Sequence, residues 1–233
     1  MSPAYWALVP AAGVGKRMGA QVPKQYLPLH GRSVLDHTLD RLLGHPRIEA
    51  VYLALSPDDG WWPESGFYND PRVTRVDGGR ERCHSVLNAL QVLSRRAAAD
   101  DWVLVHDAAR PCLRHSDLER LIEQLSGDRV GGLLGRTVHD TMKRAGRDRR
   151  VEATVPREGL WHAHTPQMFR LGALLQALEW ALAKGRLVTD EASAMELAGQ
   201  RPLLVEGAGD NLKVTRPEDL ALAAFYLSRQ QES

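Results

Sequence analysis

Tyr5-Trp6-Ala7-Leu8-Val9-Pro10-Ala11-Ala12-Gly13-Val14-Gly15-Lys16-Arg17-Met18-Gly19 decides how this chain folds. Tyr5–Val9 is an apolar run of strand length with no polar face to give to water. A strand buried on both faces belongs to a parallel sheet with helices above and below it. The loop that follows is built of small and basic residues. Its glycines let backbone approach a ligand closely and can turn N–H groups toward an anion. The loop leaves the carboxyl end of the strand, where open α/β sheets bind their ligands. Two familiar phosphate loops do not fit it. The dinucleotide fingerprint requires glycine where Met18 stands, and the P-loop requires glycine at Pro10 and Ser or Thr at Arg17.

The rest of the chain keeps the same rhythm. Ala50–Ser56, Val73–Val76, Trp102–His106, Val130–Leu134 and Leu203–Glu206 read as further strands. Between them, Ser33 caps a helical period with Val34/Leu35, Thr38/Leu39 and Leu42/Leu43 on one face. Helical patterns recur at Ser85–Leu93, after Ser116 (with Glu119 as a capping box), and at Leu171–Lys184, Asp190–Leu197 and Pro217–Leu227. Alternating strands and helices give an α/β class, a Rossmann-like and mostly parallel sheet flanked by helices. The stretch 135–166 departs from this. It is polar and lacks a helical period, and Thr137–Ala145 and Arg150–Val155 flank a turn at Gly146-Arg147-Asp148-Arg149. A polar hairpin makes no core of its own, so it is expected to project from one domain spanning residues 1–233 and to pack on another surface.

Composition narrows the class of function. Apolar residues at 43% and charged residues at 25% exclude a disordered or fibrous chain. Thirty Lys and Arg against 29 Asp and Glu exclude the basic excess of a general nucleic-acid or membrane-surface binder. No apolar run approaches the length of a membrane span, and no secretory leader pattern opens the chain. Two cysteines, Cys83 and Cys112, make neither a disulfide framework nor a metal pattern, so a cytoplasmic setting is expected. The local charge is uneven, however. No carboxylate precedes Asp36, whereas Lys16, Arg17, Lys24 and Arg32 do, and six cations face two carboxylates between Arg136 and Arg150.

Further clusters stand at strand ends. Asp77-Gly78-Gly79-Arg80-Glu81-Arg82 follows the third strand, where a glycine turn into a helix is sufficient explanation on its own. His106-Asp107-Ala108-Ala109-Arg110-Pro111 ends the fourth. Adjacent strand residues point to opposite faces, so one acid facing a cleft is expected there rather than a metal pair. His162 and His164 lack companion ligands and read as structural or solvated. Asp190 and Glu191 suit the first turn of a helix on dipole grounds alone.

In order, these blocks resemble one family over nearly the whole chain: Ala11–Gly19, Pro23-Lys24-Gln25, Asp77–Gly79, His106–Pro111, Asp140-Thr141-Met142-Lys143, Arg157-Glu158-Gly159-Leu160-Trp161, Thr165-Pro166-Gln167, Thr189–Ala194 and Lys213–Leu220. That family is the 2-C-methyl-D-erythritol 4-phosphate cytidylyltransferases of isoprenoid biosynthesis. The resemblance implies that the sugar phosphate attacks the α-phosphorus of CTP and releases pyrophosphate. It implies that Arg17 and Lys24 stabilise the transition state, and that Arg157 and Lys213 position the acceptor. Ala11, Ala12, Gly13, Gly15, Gly79, Arg80, Ser85, Asp107 and Ala108 would bind the nucleotide. Arg110, Thr141, Thr165 and Thr189 would serve the second substrate. Mg²⁺ would be held mainly by the triphosphate, with no protein cage. A homodimer joined through the arm is also implied. Two rival readings keep the fold: a ribitol 5-phosphate cytidylyltransferase, and a nucleotide-binding regulatory module without catalysis.

Overall fold

A computed structural model of the chain describes residues 3–13 and 22–231. The strands are β1 (Tyr5–Pro10), β2 (Pro28–Leu29), β3 (Arg32–Ser33), β4 (Ile48–Leu55), β5 (Val73–Asp77), β6 (Trp102–Val105), β7 (Gly131–Thr137), β8 (Met142–Ala145), β9 (Val151–Val155), β10 (Trp161–Arg170) and β11 (Leu203–Glu206). The helices are α1 (Val34–Leu43), α2 (Arg82–Leu93), α3 (His115–Leu125), α4 (Leu171–Ala183), α5 (Glu191–Leu197) and α6 (Pro217–Gln231). Seven strands form one sheet in the order β11-β7-β10-β6-β1-β4-β5. β1 runs parallel to both neighbours, β4 and β6. The chain therefore leaves β1 toward one edge, then returns to its other side. This makes the carboxyl end of β1 the switch point at which such sheets open a crevice.

Both faces of the sheet are buried, as unbroken apolar strands require. Ala7 and Val9 of β1, Val51, Leu53 and Leu55 of β4, and Trp102 and Leu104 of β6 pack under α1 and α3. Their alternates, Trp6, Leu8, Tyr52, Val103 and Val105, pack under α2, α4 and α5. Each fully buried leucine contributes about 1.5–3 kcal/mol relative to exposure. A smaller cluster seats Ala223 and Leu227 of α6 on Leu29, Val34 and Cys112.

The structure departs from the expected elements in three places. α2 begins at Arg82 rather than Ser85, because Glu81 and His84 exchange capping hydrogen bonds ahead of it. The Ser116/Glu119 capping box does not form. Arg114 is the N-cap of α3, and Glu119 turns instead to His45 at 3.1 Å and Arg47 at 2.7 Å. The third concerns the polar stretch 135–166, whose ends belong to the central sheet. Gly135–Thr137 lies in β7 and Trp161–Pro166 in β10, an antiparallel strand wedged between β6 and β7. The β7–β10 pairing shifts register between Ala163 and Gln167, where Pro166 has no N–H to donate. What stands apart is the antiparallel β8–β9 hairpin, whose residues 143–145 and 151–154 are exposed.

Candidate active site

The switch-point cleft has a volume of about 250 Å³. Its walls come from four chain segments: Pro10–Gly13 after β1, Lys24 and Gln25, the Gly79–Ser85 turn after β5, and Asp107–Ala109 after β6, with Lys213 closing one side. Gln25 fixes the first wall, its buried amide donating to the Ala11 carbonyl at 2.7 Å. Ser85 fixes the second, its Oγ accepting from the Gly79 N–H at 3.0 Å. Gly78 and Gly79 are there for want of room. A Cβ on Gly78 would stand 2.4 Å from the Ala12 Cβ, and one on Gly79 would stand 2.3 Å from the His84 Cβ. Both values are well inside contact distance, so the two ligand loops meet only without side chains there.

Asp107 is the acid that faces the cleft. Arg82 Nε lies 3.2 Å from Oδ1, while Lys213 Nζ at 2.9 Å and Arg110 Nε at 3.3 Å face Oδ2. Burial would raise its pKa, but Arg82, Lys213 and Arg110 together hold it well below the usual carboxylate range. The preceding His106 points the other way and is wholly buried. Burial pushes its pKa down to about 4, so the ring is neutral. The network assigns its tautomer: Nε2–H donates to the Arg110 carbonyl at 3.0 Å and Nδ1 accepts from Thr165 Oγ1 at 2.9 Å. Thr165 Oγ1 in turn accepts from the Asp107 N–H at 3.1 Å. His106 and Thr165 thus pin the Asp107 backbone from behind the cleft.

Of the residues singled out in the sequence, Ala11, Ala12, Gly13, Lys24, Gly79, Arg80, Ser85, Asp107, Ala108 and Lys213 come together as lining. Lys24 and Lys213 both line the cleft, and Lys24 Nζ donates to the Val214 carbonyl at 3.4 Å. Gly15 and Arg17 lie outside the described residues. Arg110 lies behind Asp107, with Nη1 on the Asn211 carbonyl at 2.7 Å. Thr141, Thr189 and Arg157 are exposed and do not line the cleft of their own chain. Arg157 sits at the return of the hairpin, where Nη1 donates to the His139 carbonyl.

Sequence reasoning missed Arg82 and Glu191, which are 109 positions apart. Glu191 accepts from Arg82 Nη1 at 2.6 Å and Nη2 at 3.0 Å. Burial works against the charge of Arg82, but Glu191 and Asp107 more than offset it and raise its pKa. The available signals were that Arg82 closes the Asp77–Arg82 cluster at a strand end and that Glu191 falls inside the Thr189–Ala194 block of the resemblance.

With the sheet and its switch-point cleft, the comparisons make this chain an α/β nucleotidyltransferase. A family model described as 2-C-methyl-D-erythritol 4-phosphate cytidylyltransferase matches residues 5–229. A relative of that name from Pseudomonas putida (strain GB-1) is 58% identical over 94% of this chain and 93% of its own length. One from Vibrio vulnificus (strain CMCP6) is 54% identical over 97% and 95%. The crystal structure of the Francisella tularensis protein of that name superposes with a TM-score of 0.84 at 36% identity, covering 96% of this chain and 99% of that one. The chain belongs to the 2-C-methyl-D-erythritol 4-phosphate cytidylyltransferase family.

Proposed function

We propose that CTP lies in the switch-point cleft and that the cytidylyl transfer of this family takes place there. The reaction joins a phosphate oxygen of 2-C-methyl-D-erythritol 4-phosphate to the α-phosphorus of CTP. The bond from that phosphorus to the bridging oxygen breaks, and pyrophosphate leaves. Such transfers need alignment and charge stabilisation more than a covalent nucleophile. The observation that carries the reading is the pair of lysines, Lys24 and Lys213, that line one cleft together with the Asp107 carboxylate. In this reading the backbone of Ala12–Gly13 and of the Gly79–Ser85 turn holds the nucleotide. Lys24 and Arg17 stabilise charge at the α-phosphate. Lys213 and Arg157 orient the acceptor phosphate.

Two further parts of the reading concern Mg²⁺ and the partner subunit. The described donor set does not suit a protein-held cation: both Asp107 oxygens face cations, and no cluster of three potential ligands occurs among the described residues. A magnesium ion would therefore be held by the triphosphate oxygens, where it would offset their negative charge. The exposed hairpin, with Arg157 at its root, supports a homodimer in which the arm packs on the partner. Among the described residues no helix is long and apolar enough to cross a membrane. The buried free thiols of Cys83 and Cys112 suit a reducing, cytoplasmic setting.

The test is pyrophosphate release by the purified chain with CTP, Mg²⁺ and either methylerythritol 4-phosphate or ribitol 5-phosphate. Release with the first and little with the second is expected. A preference for ribitol phosphate would reassign the acceptor, and release with neither would leave a nucleotide-binding module.

A further inference from the structure

Glu191 lies beneath the cleft and touches none of its open space. It is the first residue of α5, with 1% of its side chain exposed, and both of its oxygens are spent on the Arg82 guanidinium. An arginine gripped through both terminal nitrogens has only Nε left, and its plane is fixed. In Arg82 that Nε points at Asp107 Oδ1. With Oδ1 committed, Oδ2 is turned toward the buried Arg110 Nε at 3.3 Å and toward Lys213, whose ammonium stands 2.9 Å away on a half-exposed side chain outside any helix or strand. We propose that Glu191, acting through Arg82, is a positioning residue that sets the rotation of the Asp107 carboxylate and so fixes where Lys213 holds its charge on the acceptor side of the cleft.

Both ends of the fork sit on rigid starts of helices. Gln167 accepts from the Ala192 N–H at 2.7 Å and donates to Asp190 Oδ2 at 2.8 Å, which moors the beginning of α5 to β10. Glu81 and His84 fix the beginning of α2 in the same way. A tie between the two helices would need only the bidentate pair. The third contact, from Nε to a cleft carboxylate, adds nothing to that tie, and a buried ion pair is a weak source of stability in any case. Without the Glu191 charge, Arg82 is free to turn its two terminal nitrogens onto Asp107 and displace Lys213.

This inference rests on the proposed function for its kinetic readout, and it carries a second readout that does not. In Glu191→Gln, kcat/KM for methylerythritol 4-phosphate is expected to fall roughly 10- to 100-fold, the scale of a misplaced orienting group. The CTP dissociation constant, measured by calorimetry, should stay within about twofold, since the backbone walls are untouched. Acetylation of Lys213 by a dilute N-hydroxysuccinimide ester, read by peptide mass spectrometry against Lys143 and Lys184, should become several-fold faster. Arg82→Lys keeps the charge but lacks the fork; because Arg82 itself lines the cleft, this variant is read by Lys213 labelling alone, which should rise as in Glu191→Gln, and if Glu191→Gln does not fold that labelling decides. Equal losses toward CTP and acceptor in Glu191→Gln, or Lys213 labelling unchanged in folded variants, overturns the proposal. If the wild-type chain releases no pyrophosphate, the functional reading fails, and the Lys213 labelling still decides the positioning claim.

Discussion

Lys24 and Lys213 are the same kind of side chain in different surroundings, and the surroundings separate their roles. Lys213 is held by Asp107, which leaves it beside the acid that faces the open side of the cleft. Lys24 lines the cleft beside the Ala11–Gly13 wall, which in the proposed reading holds the nucleotide in its ground state. A cation added to that grip contributes most where charge grows during transfer. Lys24→Ala is therefore expected to lower turnover by about 10²–10³-fold while the CTP dissociation constant moves far less. Rapid-mix kinetics beside calorimetry checks this, and equal losses in both would make Lys24 a ground-state binder. Asp107 was legible as the acid at the carboxyl end of a buried strand, although β6 ends at Val105 and it is the His106–Thr165 contact, not strand alternation, that turns the two side chains apart. Glu191 was not, because a first-turn acid is common and nothing local shows that a guanidinium 109 residues earlier will meet it.

At the scale of elements, the cleft exists because two loops approach to contact distance. Gly78 donates its N–H to the Leu55 carbonyl at 2.6 Å, and its Cα faces the Ala12 methyl. In Gly78→Ala the added methyl must push the β1 loop and the β5 turn apart. The expected cost is about 1–3 kcal/mol of stability, the usual scale of overpacking. At least tenfold weaker CTP binding should accompany it. The double variant Gly78→Ala with Ala12→Gly removes the clashing partner and should recover most of the affinity; titration calorimetry on both proteins measures it. No recovery would show that the loss comes from the Gly78 backbone rather than from loop spacing. β1 and β4 were legible because each is an apolar run with both faces buried, whereas β5, an edge strand, showed only through Val73 and Val76. β10 was harder to see: the alternation of Trp161-His162-Ala163-His164 is short and rests on one large apolar residue within a polar stretch, and pairing with β7 makes it a strand. The start of α3 was misread because Ser116 and Glu119 have the spacing of a capping box, whereas tertiary partners for Glu119 at His45 and Arg47 take precedence over a local cap.

At the scale of the molecule, the sheet builds the cleft, and Arg157 beside the hairpin does not line the cleft of its own chain. Lys24 is in the cleft, Arg157 is not, and the β8–β9 hairpin beside Arg157 exposes both strands instead of packing on its own core. An isolated two-stranded hairpin is marginal in water, so a partner surface is its natural support. If two subunits exchange arms, each cleft takes Lys24 from its own chain and Arg157 from the other. Lys24→Ala and Arg157→Ala should then both be nearly inactive as pure dimers yet restore each other when mixed. In the mixed dimer one cleft loses both residues, and the other keeps an intact Lys24 and receives an intact Arg157. Random pairing makes half of the dimers mixed, each with one working cleft of two, so about a quarter of wild-type activity should return. Native mass spectrometry of differently tagged chains establishes that exchange has occurred. With exchange shown and no activity recovered, Arg157 would serve the cleft of its own chain, and the hairpin would have to fold back onto its own subunit when substrate binds.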